Sequence, residues 1–386
     1  MQKKHLTLLV VFNVFLVFFW CLIVRWIANN KLNSLAKTIE SRMGNKVNSI
    51  KSSNLDVLQS SIVDMIAQAK TSVVSITISK DVKFYVDDPS QTTGPGNIQQ
   101  QTAKVWWWSG IIVSKKWYII TNKHVVQDTT AKYAVILYDG QTYNVDKIRF
   151  DELLDVAIMH IIDSWWKDVT NLQPASFHSL ETQVDVWQFV FAIGNSFANY
   201  SNNVTMGIIW GKNKQLTINK NNLYVGLYQT DALVNPGNSG GPLLDINWSV
   251  VGMTTAIAEW EGIAFALPIS KEFLASTITS IERFGKIVRP ILWIQYIDNN
   301  PSVQQSQKLT IDHGIYINDV LADLPARQAG LQIGDVILSI QHHDITTQLP
   351  FLYQLYTYIP GDQLTLDILR AGKNMTLTVI LGWNIE

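Results

Sequence analysis

Apolar residues come in short bursts along most of this chain. Ile111 to Val113, Tyr118 to Ile120, Val135 to Tyr138, Val156 to Ile161, Phe189 to Ile193 and Val250 to Thr254 each run a few residues, with turn-forming residues between them. Bursts of that length predict an all-β sandwich or barrel. Two stretches break the rhythm. Leu6 to Val24 is apolar apart from Thr7 and Asn13, and about 20 such residues cross a bilayer. Residues 29–70 are polar, with Leu32, Leu35, Ile39, Met43, Val47 and Ile50 at helical spacing, which fits either a plain helical spacer or a short coiled-coil stalk. Val63 to Ala69 predicts a helix leading into a first strand, Ser72 to Ile78. Lys271 to Phe284 predicts a helix closing the β-rich region. Residues 81–104, rich in Gln, Thr and Gly, predict a long mobile loop.

Lys3 and Lys4 precede the apolar run, and no small-x-small cleavage site follows it. An uncleaved anchor is the expectation, with the N-terminus cytoplasmic and the rest extracytoplasmic. Arg25, on the far side, is a counter-signal. The alternative is lipidation of Cys21 after cleavage, which Phe18-Phe19-Trp20 fits poorly. Cys21 is the single cysteine, so no intramolecular disulfide can form. The 30 basic and 31 acidic residues nearly cancel, which implies no broad basic face for nucleic acid.

The chemistry gathers at Thr230 to Pro242, where Gly237-Asn238-Ser239-Gly240-Gly241-Pro242 sets a serine inside a glycine-rich turn. Glycines permit positive φ and close backbone approach, which a turn needs if its amides are to converge on one point. Upstream stand Thr121-Asn122-Lys123-His124-Val125 after one apolar burst and Asp155-Val156-Ala157 opening another. Singly, each has an ordinary reading: a half-buried histidine, a capping aspartate, a turn serine. Together, and in the order His, Asp, Ser, they point to nucleophilic catalysis, because a serine hydroxyl is a weak nucleophile until a base takes its proton. The remaining histidines, His5, His160, His178, His313, His342 and His343, show no metal-ligand spacing. Nothing calls for a cofactor.

From about Val73 onward these residues resemble the trypsin-like serine proteases, in particular their HtrA/Deg branch. The resemblance implies two six-stranded β-barrels, with His124 and Asp155 from the first and Ser239 from the second. His124 would be general base and then acid, Asp155 would orient it, and the backbone N–H groups of Gly237 and Ser239 would form the oxyanion hole. It places the specificity pocket at Val234, Ile257 and Ala258, none of them acidic, which suits a small apolar side chain. It also implies homotrimers, and a loop near residues 81–104 that reaches toward a neighbouring subunit.

The last 95 or so residues carry a second resemblance. Gly314-Ile315-Tyr316-Ile317, Ala329-Gly330-Leu331, Gly334-Asp335-Val336-Ile337 and Gly361-Asp362-Gln363-Leu364 are similar to a PDZ domain. Such domains add a peptide C-terminus to a sheet edge. Ile291, Leu292, Trp293 and Ile294 would form the loop that captures the terminal carboxylate. The expected organisation is 1–28 cytoplasmic tip and transmembrane anchor, 29–70 linker, 71–285 trypsin-like protease domain and 286–386 PDZ domain. That is a mainly β chain with an N-terminal transmembrane helix and one PDZ domain, a DegS-like architecture.

The tryptophans are out of place. There are 14 of them beside 21 glycines, and several stand where turns want glycine. Trp108 precedes Ser109-Gly110, Trp117 follows Lys115-Lys116, Trp187 follows Val186, Trp248 follows Asn247 as in an Asn-Gly hairpin, and Trp293 sits in the carboxylate loop. Trp106-Trp107-Trp108 and Trp165-Trp166 are odd as exposed clusters. Either these are true tryptophans, as interface anchors such as Trp20 and Trp26 would be, or UGA codons read as glycine in the source organism have been translated here as tryptophan.

The expected function is a membrane-anchored, extracytoplasmic serine endopeptidase of protein quality control or envelope-stress signalling. It would act on unfolded or signalling proteins, with a PDZ domain that reads exposed C-termini. The alternative is a catalytically idle protease-like/PDZ scaffold or chaperone module.

Overall fold

The structure is a computed structural model. It describes residues 52–86, 97–194, 203–258 and 263–383 apart from 168, 171, 220, 221, 236 and 323; within these, 52–58, 81–106, 214–225 and 256–258 are described for their backbone alone. The Leu6–Val24 run, Cys21 and residues 29–51 of the spacer lie outside the described residues. Among the described residues no helix is long and apolar enough to cross a membrane. Two compact units divide the chain, Met1–Asp64 and Met65–Glu386, and among the described residues every strand lies in the second. Helix α1, Ser52–Ala69, begins well before the Val63 start that its apolar spacing predicts.

Six strands form the first barrel: β1 (Val73–Val86), β2 (Asn97–Ile112), β3 (Tyr118–Thr121), β4 (Lys132–Ile136), β5 (Thr142–Phe150) and β6 (Ala157–Ile162). They close in the order β1-β2-β3-β6-β5-β4. The alternating bursts put Ile76, Ile112, Ile119, Val135, Met159 and Ile161 inward, all nearly fully buried. A one-turn helix, α2 (Lys123–Val126), follows β3 and carries His124.

The loop expected over 81–104 is corrected at its two ends, 81–86 and 97–104, while residues 87–96 lie outside the described residues. β1 and β2 run on past a bulge at Ile78/Ser79 as a two-stranded ribbon, pairing as far as Val86 with Asn97. Val82, Phe84 and Val86 fall at alternate positions, a strand pattern, and antiparallel pairing supplies the backbone hydrogen bonds.

The second barrel uses β7 (Ser176–Phe177), β8 (Phe189–Gly194), β9 (Asn203–Asn219), β10 (Asn222–Thr230), β11 (Pro242–Leu244), β12 (Ser249–Ala258) and β13 (Ile263–Pro268). The order β11-β8-β9-β10-β13-β12 closes through a β11–β12 pairing, and β7 adds in parallel to β12. Val190, Ala192, Ile209, Leu243, Val251 and Ala266 fill it. In the β11–β12 hairpin, Asp245 Oδ1 accepts the N–H groups of Asn247 and Ser249 at 2.8 and 2.9 Å, and Oδ2 bonds His178 Nε2 at 2.8 Å.

Helix α3, Lys271–Phe284, follows. Ser270 Oγ caps its start by accepting the Phe273 N–H at 3.1 Å, and Gly285 ends it at φ 72°. That is the serine-start, glycine-stop asymmetry that helix ends favour. The last unit has helices α4 (Pro301–Gln307), α5 (Pro325–Gln328) and α6 (Phe351–Leu355). Its strands are β14 (Ile294–Asp298), β15 (Ile315–Val320), β16 (Val336–Ile340), β17 (His343–Asp344), β18 (Gln363–Arg370) and β19 (Lys373–Ile380). The sheet order β14-β15-β16-β18-β19 leaves β14 on an edge, and Tyr296 of β14 meets Phe351 of α6 edge to face at 5.0 Å.

Four tryptophans hold left-handed backbone: Trp166, Trp187, Trp248 and Trp293, at φ 58°, 75°, 62° and 51°. Such a conformation costs a residue with a Cβ about 1–2 kcal/mol and costs glycine almost nothing. The rings fit no better. Trp165, Trp166 and Trp187 are 80%, 79% and 71% exposed, while the buried indole nitrogen of Trp248 finds no partner. Trp117 and Trp108 differ. Both are half-buried against the first-barrel core, and Trp108 pairs in β2 with Ile76, so the expected exposed cluster at 106–108 is part of a strand.

Candidate active site

Each candidate group is delivered by the end of an element. Thr121 ends β3, and Asn122 is the extended residue before α2, so His124 sits one helical step inside the barrel mouth. Asp155 ends a tight turn before β6. Its Oδ2 receives His124 Nδ1 at 2.8 Å, and its Oδ1 receives the His124 backbone N–H at 3.0 Å. The carboxylate therefore fixes both the main chain and the ring, and an ionised carboxylate only accepts. The imidazole proton thus lies on Nδ1, leaving Nε2 as the basic nitrogen.

Two residues that the sequence did not single out complete this cluster. Thr255 of β12, 3% exposed, donates its hydroxyl to Asp155 Oδ2 at 2.7 Å. Asn122, fully buried, donates Nδ2 to Thr255 Oγ1 at 3.0 Å and to the Asp155 carbonyl at 3.1 Å. Asn122 lay inside the quoted Thr-Asn-x-His string. Thr255 carried no local signal, because its role depends on barrel two meeting barrel one.

Ser239 sits at the second barrel's contribution to the cleft. Gly237 holds φ 100° and Gly240 φ 85°. A Cβ on Gly240 would lie 2.2 Å from both the Ser109 carbonyl oxygen and Thr121 Oγ1, so only glycine fits there. A Cβ on Gly194 would lie 2.3 Å from Asn238 Oδ1, so Gly194 makes room for the buried Asn238 side chain. The Asn238 carbonyl accepts the Gly241 N–H at 2.9 Å and Thr254 Oγ1 at 2.6 Å. That anchoring turns the Ser239 N–H the opposite way. Among the described residues neither the Gly237 nor the Ser239 N–H donates to a protein acceptor. Ser109 Oγ donates to the Gly237 carbonyl at 2.8 Å, and the Ser109 N–H donates to the Ser239 carbonyl at 3.1 Å.

The structure thus joins His124 to Asp155 directly and ties the Ser239 turn to the first barrel through Ser109. Among the bonds of the described residues none joins Ser239 Oγ to His124. Trp108 stands edge-on to the His124 ring, with centroids 5.8 Å apart. Of the expected pocket residues, Val234 is 3% exposed and packed in the second-barrel core. Ile257 and Ala258 pair with Ala264 and Ile263 along β12, and their side chains lie outside the described set.

The sequence matches the trypsin-like peptidase domain family over residues 108–253 and the PDZ domain family over residues 290–381. Serine protease Do-like HtrB of Bacillus subtilis (strain 168) is 30% identical over 344 residues, which is 85% of this chain and 72% of that protein. The chain belongs to the HtrA/DegP family of serine endoproteases. A probable periplasmic serine endoprotease DegP-like of Pseudomonas putida (strain W619) is 33% identical over 76% of this chain, which spans 59% of that longer relative. Among solved structures, HtrA-type protease AlgW with decapeptide superposes with a TM-score of 0.57 at 27% identity, covering 84% of this chain and 99% of AlgW. This HtrA-type chain therefore carries a trypsin-like double barrel followed by a PDZ domain.

In that PDZ domain the expected carboxylate loop is only partly free. The Ile291 N–H is engaged by the Gly382 carbonyl at 2.8 Å, which corrects its place in the loop. Leu292 is buried in the PDZ core, Trp293 holds its left-handed φ, and Ile294 opens β14. The Trp293 ring leaves no room beside it: a Cβ on Gly382 would lie 2.1 Å from it.

Proposed function

We propose that this chain is a membrane-anchored, extracytoplasmic serine endopeptidase of protein quality control or envelope-stress signalling. Its cleft works by acyl transfer on unfolded or signalling proteins. The observation that carries the reading is the Thr255–Asp155–His124 chain of hydrogen bonds, set beside the Gly237 and Ser239 N–H groups, which among the described residues donate to no protein acceptor. Ser239 Oγ attacks the scissile carbonyl carbon and passes its proton to His124 Nε2. Asp155 stabilises the imidazolium that forms, and the Gly237 and Ser239 N–H groups receive the oxyanion. The intermediate collapses as His124 protonates the departing amine. Water, deprotonated by His124, then attacks the acyl carbon; the ester bond to Ser239 Oγ breaks, His124 returns the proton to that oxygen, and the acid leaves. The contact between serine and imidazole tightens as substrate binds.

Val234, Ile257 and Ala258 favour a small apolar side chain in this reading. The edge strand β14 beside α6 takes a peptide C-terminus as an added strand. The carboxylate is held by the amides of Leu292 to Ile294. Anchoring rests on the Leu6–Val24 run, and homotrimer formation on the family resemblance.

The test is cleavage of an unfolded protein by the full chain, with and without C-terminal peptides, beside Ser239→Ala. Loss of cleavage in the variant supports the reading. Equal rates in both would remove it and favour the idle scaffold, for which the Trp108 ring against His124 is the one supporting contact.

A further inference from the structure

The turn that delivers Asp155 is held from outside the cleft. Asp151 is fully buried. Its N–H donates to the Val156 carbonyl at 2.9 Å, and its Oδ1 accepts the N–H groups of Leu153 and Leu154, both at 3.0 Å. Its carbonyl accepts Nζ of Lys123, the neighbour of His124, at 2.8 Å. Asp151 therefore closes the turn on both sides of Asp155.

The remaining oxygen, Oδ2, receives Arg289 Nε at 2.6 Å, with side-chain exposures of 2% for the arginine and 0% for the aspartate. Arg289 lies beyond α3, where the chain passes into the PDZ domain. Its Nη2 donates to Thr277 Oγ1 at 3.0 Å and its Nη1 to the Tyr356 carbonyl, just past α6, at 3.3 Å. The guanidinium carbon also lies 4.2 Å from the Phe273 ring centroid. Tyr356 receives Ser276 Oγ as well, at 2.8 Å. On another side of the same turn, Leu153 and Leu154 line a cavity of about 320 Å³ with Leu352 and Tyr356. A planar fork that donates in three directions is something only arginine supplies. Removing two charges from water is costly enough that a buried pair is a poor source of stability.

We infer that Arg289 is a positioning residue for the peptidase reaction, acting through Asp151 on the orientation of Asp155. The inference rests on the roles proposed for His124, Asp155 and Ser239. Arg289 fixes the Asp151 carboxylate, Asp151 fixes the 151–155 turn, and the turn aims Asp155 at His124. A contact that merely joined two domains would change melting temperature and substrate affinity but leave the chemical step alone.

The experiment uses the full chain with Arg289→Lys, which keeps the charge but loses the fork, and Thr277→Val, which removes one anchor of the guanidinium. Ser239 labelling by an alkyl fluorophosphonate, kcat and KM on a peptide substrate, melting temperature and the low-field proton resonance of His124 Nδ1–H are read for each. The expected result for Arg289→Lys is labelling and kcat slowed on the order of 10²-fold, as an ångström of misplacement can do, with KM unchanged and the resonance shifted. Thr277→Val shows a smaller change of the same sign, which keeps the test alive if the lysine variant does not fold. Parent-like kcat, labelling and resonance alongside a lowered melting temperature overturn the inference. If the parent chain itself is not labelled at Ser239, the protease reading fails. The resonance, which needs no turnover, then still decides whether Arg289 sets the His124–Asp155 contact.

Discussion

Ser109 Oγ donates to the carbonyl oxygen of Gly237 at 2.8 Å across the seam between the two barrels. The bond holds one face of the Gly237–Asn238 peptide, and with it the curvature of the turn whose amides flank Ser239. Ser109→Ala leaves that buried carbonyl without its donor. The expected outcome is a kcat lowered about tenfold, within the range seen when oxyanion geometry is disturbed, and a KM within about twofold of the parent. Steady-state kinetics on a peptide substrate checks it. An unchanged kcat would mean the turn holds itself.

Thr255→Val keeps the shape of the side chain but removes the donor to Asp155 Oδ2 and the acceptor for Asn122 Nδ2. Asp155 keeps its two bonds to His124, so the variant folds with a loss of about 1–3 kcal/mol, the ordinary cost of stranding a buried polar partner. Turnover falls further than stability implies. Thr255→Ser restores both hydrogen bonds and recovers the rate. Chemical denaturation and kcat measured on the same preparations separate the two effects.

The left-handed tryptophans make a thermodynamic prediction. Trp187→Gly and Trp248→Gly each relieve a φ near +70°, and each stabilises the chain by about 1 kcal/mol. Trp248→Gly also removes a buried indole N–H that lacks a partner. Trp293→Gly opens space next to Gly382 and raises affinity for a C-terminal peptide, readable by calorimetry. Mass spectrometry of the protein from its source organism is the direct check. Glycine at positions 187 and 248 is the expected result, and tryptophan there would leave the strain without an explanation.

Acid stability should turn on the buried pair beneath the β11–β12 hairpin. Burial opposes ionisation of Asp245, but the His178 hydrogen bond and the N–H groups of Ser249 and Asn247 outweigh it and hold its carboxyl below the usual value. A folded-state value below the unfolded one means the stabilisation is complete above the unfolded pKa and is lost as pH falls through the folded one. The melting temperature should therefore drop below about pH 4. Asp245→Asn should flatten that part of the curve. A parent curve with no such drop would remove the assignment.

Much of this was open to reading from the chain. The bursts at Tyr118–Ile120 and Phe189–Ile193 are strands because short apolar runs between turns bury one way in a barrel. Lys271–Phe284 is a helix with the serine start and glycine stop that its flanks announce. His124 and Asp155 meet as their order suggested. Thr255, Ser109 and Arg289 were not legible, because each acts on a residue more than 99 positions away in sequence, across 100, 128 and 138 positions respectively. No local pattern marks a residue whose partner is supplied by the other barrel or by another domain. Residues 81–86 and 97–104 were misread because the polar, Gln-rich stretch 97–104 masked the apolar alternation of Val82, Phe84 and Val86: in a paired ribbon the backbone groups are satisfied across the pair, so one strand can stay polar.

The serine comes from one barrel and its base from the other, and a thin line of contacts, Ser109 to Gly237 and Ser239 and Thr255 to Asp155 and Asn122, joins them at the cleft. Turnover is thus a gauge of how the two barrels lie against each other. Mild denaturant, pulling force or a partner wedged at the seam need slide one barrel only slightly over the other to silence the enzyme while both stay folded. Loss of activity would then run ahead of loss of β-structure, and would reverse as soon as the barrels settle back.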